Sequence, residues 1–537
     1  MKTAKNPIGS AVLPNFYAGL FVAGLKLAKG WNQGASSGLS LRRRATVTLI
    51  IISNRVARPK ADEPAQGGLA AALLPAVRHS GAIWVGASGR LSDSGKDSLA
   101  EIQPLGTGAL ATVDMPRAHY RRFYEGFANS VLWPAFHSRA DLIRSDPQDF
   151  AAYQEINAFM ARSLLRFAQP KATFWVHDYH FLSLGLELRS RGIKQPIGFF
   201  LHTPFPSRSV MVGVPQHREL VTAMLAYDLI GFQTEDDLAN FSEYLARELD
   251  LAAEVLAESD KATVFANGAA TRLAVFPIGI DVKAFADQAT KAAARPEVSR
   301  LRASLQGRKL AIGVDRLDYS KGLPNRFRAL DRMFELYPES RKAVSLLQIA
   351  VPSRDKIPAY RQLQAELASL VGEINGRNAE VDWTPIRYLN KAFPQAVLAG
   401  FYRSAQVGVV TPFHDGMNLV AKEYVAAQNP LDPGVLVLSE FAGAAKQLET
   451  ALLVNPHDVD SVAHTLMRAM AMSASERRQR WNTMIGRLEN SALDAWFSDF
   501  VSALGKTRRR VPDRPIAIPS PSTAPMLLEV GTAAAGH

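Results

Sequence analysis

Short, uninterrupted apolar runs alternate with helix-like patterns along most of the chain, and this alternation constrains the fold more than any other feature. It predicts successive βα units, whose strands pair in parallel and are covered by helices on both faces. The predicted strands are residues 45–53, 82–86, 172–176, 197–201, 229–232 and 273–276 in the first half, and 310–314, 344–350, 407–411, 435–439 and 451–454 in the second. A chain of 537 residues is too long for one simple core. We therefore predict an α/β fold with two doubly wound, Rossmann-like domains that face each other across a cleft.

Charge and gaps in the strand pattern predict how the chain divides. The first 44 residues hold seven Lys or Arg and no acid, and residues 506–537 hold five bases and two acids, so the two tails carry most of the net charge of +12. A nearly neutral body argues against a nucleic-acid-binding surface. The region around 279–302 lacks a strong strand and is the predicted linker. The predicted segments are a disordered basic extension (1–44), an N-terminal domain (45–285), a C-terminal domain (286–474), terminal helices (475–505) and a disordered Pro-rich tail (506–537).

The lack of cysteine and the lack of a long apolar segment bear on where in the cell the protein is located. The chain has no cysteine, which excludes disulfides, thiolate catalysis and cysteine-ligated zinc and is compatible with the cytoplasm. Residues 11–25 are uncharged and mainly apolar, but about 20 residues are needed to span a bilayer, and no convincing signal-peptide cleavage site follows. We predict a cytoplasmic protein without a membrane span.

Polar motifs follow the predicted strands of both halves at the same end. They are Ser53-Asn54-Arg55, Gly67-Gly68, His177-Asp178-Tyr179-His180, the segment from His202, Arg316 with Lys321, Arg354, and Asp415. Open α/β sheets bind ligands at the carboxyl ends of their strands, so this placement predicts a ligand site in each half, facing the cleft.

The second half holds the most specific motif, DRLDYSKG at 315–322. Its Arg316 and Lys321 would lie beside a helix N-terminus, an arrangement that binds phosphate. A second motif, DGMNLVAKE at 415–423, also leads from a strand into a helix, where Glu423 could accept both hydrogen bonds of a ribose diol. Together they predict a nucleotide-sugar site, in which Arg316, Lys321 and the backbone at Gly68 neutralise a leaving diphosphate in place of a metal ion.

Other interpretations of these residues remain open. Arg316 and Lys321 are also compatible with a solvated turn, and Glu423 with a carboxylate stabilised by a helix dipole. Asp415 could be a glycosidase-like nucleophile, although hydrogen bonding to sugar hydroxyls is favoured. His177, Asp178 and His180 resemble metal ligands, but nothing nearby completes a ligand set, so we favour Asp178 as a hydroxyl acceptor or base and predict no metal.

Two arginines and two aromatic residues predict a second, acceptor-binding part of the site. Arg55 and Arg354 end strands in different halves, and together they would hold a phosphate through forked, charge-assisted hydrogen bonds. Tyr124 and Trp133 could cover the face of a sugar, although aromatic residues in apolar runs more often belong to the core.

Taken together, the motifs resemble those of the trehalose-6-phosphate synthases, retaining glycosyltransferases of the GT-B type in glycosyltransferase family 20. The resemblance covers about residues 46–504 and rests on SNR at 53, GGL at 67, VLWPAFH at 131, HDYH at 177, GFFLHTPFP at 198, GFQTE at 231, FPIGID at 276, DRLDYSKG at 315, TPFHDGMNLVAKEYVA at 411 and VLVLSEFAGAA at 435. The chain departs from the family at both tails and at Asp315, where relatives often have Glu.

The resemblance implies glucosyl transfer from UDP-glucose to glucose 6-phosphate, without a cofactor, giving α,α-trehalose 6-phosphate and UDP. For glucose 6-phosphate it implies contacts with Arg55, Tyr124, Trp133, Asp178 and Arg354. For UDP-glucose it implies contacts with Gly68, His202, Arg316, Lys321, Phe393, Asp415, Leu419, Val420, Ala421, Lys422 and Glu423. The implied catalytic residues are Asp178, His202, Arg316, Lys321 and Asp415. Relatives also return their last helix to the N-terminal domain and form homo-dimers or tetramers.

Two other functions remain open at this point. A sister transferase would use another acceptor, such as glycerol 3-phosphate, or another donor, such as ADP- or GDP-glucose. A non-catalytic sugar-phosphate sensor would bind the same ligands without turnover.

Overall fold

The computed structural model describes residues 48–56, 67–93, 99–255, 261–266 and 268–507. The predicted N-terminal extension, the apolar stretch 11–25 and the Pro-rich tail beyond Thr507 lie outside these residues. The described residues belong to one compact unit.

The described strands form two sheets. Those of the first sheet are β1 (Thr48–Arg55), β2 (Ile83–Ser92), β3 (Leu99–Leu105), β4 (Gly108–Pro116), β5 (Ala172–His177), β6 (Ile197–Phe200), β7 (Leu229–Phe232), β8 (Ala253–Val255), β9 (Lys261–Ala266) and β10 (Ala269–Val275). Those of the second are β11 (Lys309–Arg316), β12 (Val344–Val351), β13 (Ile386–Leu389), β14 (Val407–Val410), β15 (Val435–Ser439) and β16 (Leu452–Val454). We call the parts built on these sheets the first and second lobes.

Helices cover both sheets. The α-helices are α1 (Gly67–Ser80), α2 (Arg117–Arg121), α3 (Trp133–Phe136), α4 (Pro147–Leu164), α5 (Leu184–Ser190), α6 (Arg208–Met211), α7 (His217–Met224), α8 (Glu235–Glu248), α9 (Val282–Ala292), α10 (Pro296–Leu305), α11 (Leu323–Leu336), α12 (Pro358–Asn378), α13 (Gln395–Ser404), α14 (Leu419–Ala427), α15 (Val459–Ala471), α16 (Ala474–Asn490) and α17 (Leu493–Gly505). A π-helix, Arg122–Leu132, joins α2 to α3.

Strand order places a ligand site in each lobe. The second sheet runs β13-β12-β11-β14-β15-β16 and is wholly parallel, which is the Rossmann order with its switch point between β11 and β14. The first sheet runs β3-β4-β2-β1-β5-β6-β7-β10-β9-β8. In its parallel part the strands are added outward in opposite senses from β1 and β5, so the switch point lies between these two parallel neighbours. The expected doubly wound α/β fold is therefore confirmed, and Arg55, Asp178, Arg316 and Asp415 all lie at or just beyond strand ends that flank a switch point.

The predicted strands are present, whereas β3, β4, β8, β9 and β13 were not predicted. Three of these, β3, β8 and β9, pair antiparallel at the edges of the first sheet, and such edge strands need no continuous apolar run. The helix after β1 begins at Gly67, two residues before the first apolar side chain of its sequence, Leu69.

The predicted linker, 279–302, is mostly helical. It contains α9 and the first part of α10, and α9 packs against α13 and α14 of the second lobe. Its amphipathic helices alternate apolar and polar faces and contain no continuous apolar run, so the strand pattern gave no sign of them. The predicted domain boundary at Phe285 falls inside α9, and its exact position stays a prediction.

The last two helices attach to different lobes. Trp481 of α16 donates its indole N–H to the carbonyl of Val425 at 2.9 Å, in the second lobe. In α17, Phe500 stacks on Trp175 of β5 at 4.4 Å, and a Cβ added at Gly198 or Gly231 would overlap its ring. The chain thus crosses between lobes near Gly279 and again near Ser491, and the two crossings touch, because a Cβ at Gly279 would overlap the Ser491 carbonyl.

Candidate active site

The turn after β11 brings the predicted cations into the cleft. Arg316 ends the strand, and Asp318 then caps a short 3₁₀ turn, Tyr319–Lys321, by accepting a hydrogen bond from the Ser320 amide at 3.1 Å. Gly322, with φ of 64°, lies against the Thr411 carbonyl, where a side chain would not fit. The turn therefore packs against the segment that follows β14 in the neighbouring part of the sheet.

Asp318 is the centre of what we call the Asp318 cluster: Asp318, Arg354, Trp133, Tyr179 and Tyr360. One carboxylate oxygen accepts from Arg354 and from the Tyr360 hydroxyl, each at 3.1 Å. The other accepts a long hydrogen bond from Trp133 Nε1 at 3.4 Å. Burial alone would raise the pKa of Asp318, but the cations Arg354 and Arg316 outweigh it and hold that pKa well below its usual range.

The Asp318 cluster joins the two lobes. The Arg354 guanidinium, from the second lobe, lies 3.9 Å from the centre of the Trp133 ring and donates to the Tyr179 hydroxyl at 3.1 Å. Both Trp133 and Tyr179 belong to the first lobe. The Arg316 guanidinium also lies over the Trp133 ring, 4.9 Å from its centre, and 41% of the Arg316 side chain is exposed. Arg316 is therefore the cation of this turn that remains open to an incoming anion.

The second group, which we call the α14 cluster, consists of Lys321, Asp415, Asn418 and Glu423. Lys321 donates to Asp415 at 2.6 Å, and Asn418 donates to the same carboxylate oxygen at 2.9 Å. Burial opposes ionisation of Asp415, yet Lys321 outweighs it and lowers the pKa of that carboxyl. Asn418 also caps α14 by accepting from the Ala421 amide at 3.1 Å. The sequence predicted both ions but not that they pair with each other.

Glu423 and its neighbours in α14 differ in how deeply their side chains are buried. Burial raises the pKa of the half-buried Glu423 to about 7, while Gln395 and Tyr402 nearby partly oppose this. Leu419 and Val420 are half-buried at the start of the helix, and Ala421 is buried.

Lys422 has a structural connection instead. Its buried ammonium donates to the Ile278 carbonyl and to Gln447, both at 2.5 Å, so its side chain is tied to the segment that connects the lobes. Only its backbone remains for the ligand contact that the resemblance implies. Phe393, half-buried, packs edge-on against Phe401 at 5.4 Å.

In the first lobe, a hydrogen bond joins the loops that carry Asp178 and His202. The Asp178 carboxylate accepts from the His202 amide at 3.2 Å, and burial raises its pKa to about 6 against the opposing hydrogen bonds of Tyr179, His202 and Thr203. The His202 carbonyl lies so close to Gly416 that a Cβ there would overlap it. The glycine of the DGM motif thus lets the backbones of the two lobes meet beside Asp415.

Backbone strain collects at this site. Asp178 (φ 73°), Arg354 (φ 51°) and Asn418 (φ 73°) are three of the seven non-glycine residues with positive φ in the described part of the chain. Such conformations cost energy and persist only where surrounding contacts impose them, which is typical of functional sites.

Tyr124 and Arg55 lie at the outer part of the first-lobe site. Tyr124, in the π-helix, stacks between Tyr120 at 5.8 Å and His180 at 5.9 Å. The exposed Arg55 lies beside Gly89. Gly68 is in the first turn of α1. The predicted phosphate clamp of Arg55 with Arg354 and the predicted diphosphate bridge between Gly68, Arg316 and Lys321 stay predictions.

Sequence reasoning missed Asp318, Tyr179 and Tyr360 as members of the site. Asp318 and Tyr179 lie inside motifs that had been singled out, so their position was a usable signal. Tyr360 lies six residues beyond Arg354, in α12, where no motif had pointed to it, and only the fold brings it to Asp318. In the part of the chain that the structure covers, no three His, Asp or Glu side chains are grouped to hold a metal ion. No helix in that part is long and apolar enough to cross a membrane.

Two Rossmann-like lobes that meet at their switch points, with cations and carboxylates lining the junction, define a glycosyltransferase of the two-lobed GT-B class. The sequence profile of glycosyltransferase family 20 matches residues 41–506, and the chain belongs to that family.

Relatives and solved structures agree with this assignment. A trehalose-6-phosphate synthase of Sinorhizobium fredii is 43% identical over 460 residues, covering 85% of this chain and 98% of that protein. A UDP-forming α,α-trehalose-phosphate synthase of Burkholderia xenovorans, solved in complex with glucose-6-phosphate, is 45% identical with a TM-score of 0.82, covering 85% of this chain and all of that one. An E. coli structure bound with UDP-2-fluoro glucose is 39% identical with a TM-score of 0.80, covering 86% and 100%.

Proposed function

We propose that this chain transfers glucose, with retention, from UDP-glucose to the anomeric hydroxyl of glucose 6-phosphate, releasing α,α-1,1-trehalose 6-phosphate and UDP. The observation that carries the proposal is that one turn, from Arg316 to Lys321, belongs to both clusters of the cleft. Through Asp318 it is bonded to Arg354 and Trp133, and through Lys321 to Asp415. Relatives solved with glucose-6-phosphate and with UDP-2-fluoro glucose supply the two substrate classes.

In this proposal the Asp318 cluster faces the acceptor. Arg354 and Arg55 bind the phosphate of glucose 6-phosphate, Tyr124 and Trp133 cover the sugar, and Asp178 accepts a hydrogen bond from a hydroxyl. Support comes from Arg354, which is already oriented by Asp318 and the Trp133 ring and therefore loses little freedom on binding.

The α14 cluster faces the donor. Arg316 and Lys321 stabilise the negative charge that develops on the leaving diphosphate, with the backbones of Gly68 and of residues 419–423 beside the nucleotide, near Phe393. Asp415 holds hydroxyls of the transferred glucose, near His202. When the diphosphate draws on Lys321, Asn418 still holds Asp415 in place.

The bond changes need no protein nucleophile. The acceptor hydroxyl attacks the anomeric carbon on the face from which UDP departs, and its proton passes to the departing phosphate oxygen. The C–O bond to UDP breaks as the new glycosidic bond forms. Contact between the lobes excludes water, which would otherwise compete as the acceptor.

Purified protein tests the proposal directly. UDP release would be measured with UDP-glucose in the presence and absence of glucose 6-phosphate, with ADP-glucose, GDP-glucose and glycerol 3-phosphate as comparison substrates. We expect release that depends on glucose 6-phosphate and a product without a reducing end. Turnover only with a comparison substrate would identify a sister transferase, and binding without any turnover would identify a sensor.

Three further properties belong to the proposal. We propose domains at 45–285 and 286–474 with terminal helices at 475–505, a cytoplasmic location, and a homo-dimer or tetramer. The packing of α17 on the first sheet supports the return of the terminal helices, the absence of cysteine is compatible with the location, and the assembly rests on family resemblance. Light scattering of the purified protein gives the assembly state.

A further inference from the structure

His177 and His202 form a buried pair at the ends of two neighbouring strands. His177 is the last residue of β5, opposite Phe200 of β6 in the register of the sheet, and His202 follows two residues later. Nδ1 of His177 lies 3.0 Å from Nε2 of His202, and the side chain of His177 is fully buried. The function proposed above uses His202 but gives His177 no role.

Both imidazoles are held neutral. Burial lowers the pKa of His202 to about 3 and that of His177 well below its usual value. A neutral imidazole carries one N–H and one acceptor nitrogen. Across the 3.0 Å contact, therefore, one ring donates and the other accepts, and the choice fixes which nitrogen of each ring carries the proton.

The surroundings of His177 decide that choice. Its Nε2 is buried and has no hydrogen-bond partner among the described residues. The rings packed around it are those of Trp175 at 4.6 Å, Trp496 at 6.2 Å and Phe200 at 6.3 Å. An indole N–H can donate but cannot accept. A proton on Nε2 would therefore meet no acceptor, and orphaned buried N–H groups are rarer than orphaned acceptors. The proton of His177 accordingly belongs on Nδ1.

We propose that His177 is a positioning residue that donates its Nδ1–H to Nε2 of His202, and so keeps His202 in the tautomer that carries its own proton on Nδ1. That nitrogen of His202 bonds to no described residue and is not fully buried. It would act as a hydrogen-bond donor toward an oxygen of the nucleotide-sugar, whereas the other tautomer would present an acceptor. The proposal rests on the function proposed above for the identity of this ligand.

The backbone of His202 leaves its ring little freedom to avoid this partner. Its amide is bonded to Asp178 and its carbonyl lies against Gly416, so the residue is held from both lobes. Rotation of the ring by a half-turn about its bond to Cβ would move Nε2 away from His177 and break the 3.0 Å contact.

Nuclear magnetic resonance of the ligand-free, full-length protein reads the tautomer directly. With ¹⁵N-labelled histidine and a His202→Gln variant to assign the signals, we expect His202 protonated on Nδ1 and unprotonated on Nε2. Protonation on Nε2, or an equal mixture, overturns the proposal. Because this measurement needs no turnover, its outcome is independent of whether the proposed reaction is correct.

Substitutions at His177 separate positioning from packing. In His177→Asn the side-chain amide can donate from about the place of Nδ1, whereas His177→Leu suits the apolar pocket but cannot donate. We expect kcat to fall less than about threefold in the Asn variant and about tenfold to a hundredfold in the Leu variant, as for loss of an orienting partner, with the KM for glucose 6-phosphate unchanged. Thermal unfolding should show the Leu variant at least as stable as the Asn variant. Equal activity of the two, or activity that follows stability, contradicts the role.

Discussion

The Asp318 cluster and the α14 cluster lie on either side of one turn, and each pairs a buried carboxylate with a cation, but only the α14 cluster also holds a carboxylate without one. In the Asp318 cluster the carboxylate has its partners already, with Arg354, Tyr360 and Trp133 all bonded to it and its pKa held low. In the α14 cluster, Glu423 has a pKa raised to about 7 by burial, and no cation is among the groups that shift it.

The difference shows how one cleft can combine a fixed part with an adjustable part. Pairing of Asp318 with Arg354 fixes geometry at all pH values near neutrality, so that side is organised before any ligand arrives. The α14 side changes its charge with pH through Glu423, and we expect Lys321 to exchange partners when an anion competes for it. Mutations should therefore affect stability mainly on the first side and binding or turnover mainly on the second.

The largest effect is expected from Asp318→Ala. It leaves Arg354, whose side chain is only 6% exposed, without its carboxylate, and an uncompensated buried charge costs about 3–5 kcal/mol of unfolding free energy. Denaturant unfolding measures this loss. Asp432→Ala is the matched control: Asp432 pairs with Arg477 but is itself 67% exposed, so its loss should cost at most about 1 kcal/mol. Equal losses in the two variants would show that the Asp318 cluster does not support the fold.

Lys321→Ala and Arg316→Ala should each lower turnover about a hundredfold or more, which corresponds to about 2.7 kcal/mol of transition-state stabilisation. Of the two proteins, the Lys321→Ala variant should have the lower free energy of unfolding. Loss of Lys321 leaves Asp415 without its cation, whereas Asp318 keeps Arg354 when the more exposed Arg316 is lost.

Steady-state kinetics and unfolding of both variants test that contrast. Arg328→Ala, at an exposed pair with Glu366, serves as the control with near-normal turnover. Near-normal turnover in both cleft variants would remove the cations from the mechanism.

The pH dependence of donor binding tests the adjustable side. If Glu423 must be ionised to accept ribose hydroxyls, lowering the pH from about 8 to about 6 crosses its pKa of about 7 and should raise the KM for UDP-glucose about tenfold. The Glu423→Gln variant should have a high KM that lacks this part of the pH dependence. Initial rates at saturating glucose 6-phosphate measure it, and an identical pH profile in both proteins would rule out Glu423 as the titrating group.

The smallest effect is expected at an exposed contact between the lobes. Lys446 pairs with Asp236 at 2.9 Å, but the two side chains are 51% and 69% exposed, so the pair should contribute less than about 1 kcal/mol. A double-mutant cycle of Lys446→Ala and Asp236→Ala, followed by denaturant unfolding, measures the coupling. A coupling as large as the effect of Asp318→Ala would mean that exposed contacts, rather than the buried cluster, hold the lobes together.

The sequence by itself determined the fold class, the family and the strands of both parallel cores except β4 and β13. Continuous apolar runs such as those of β5 and β14 need two covering layers, and the polar residues after them are collected at one edge by the parallel arrangement. These are local patterns, and local patterns can be read from the chain alone.

Only the tertiary structure decided which of those residues pair. Lys321 and Asp415 are far apart in the chain, as are Asp318 and Tyr360 or His177 and His202, and no periodicity reports their distances. Lys422 and Glu423 are adjacent in sequence, yet one side chain bonds to the connector between lobes while the other remains half-buried near the cleft. Successive residues of a helix point about 100° apart, so which of them faces a ligand depends on how the helix is docked.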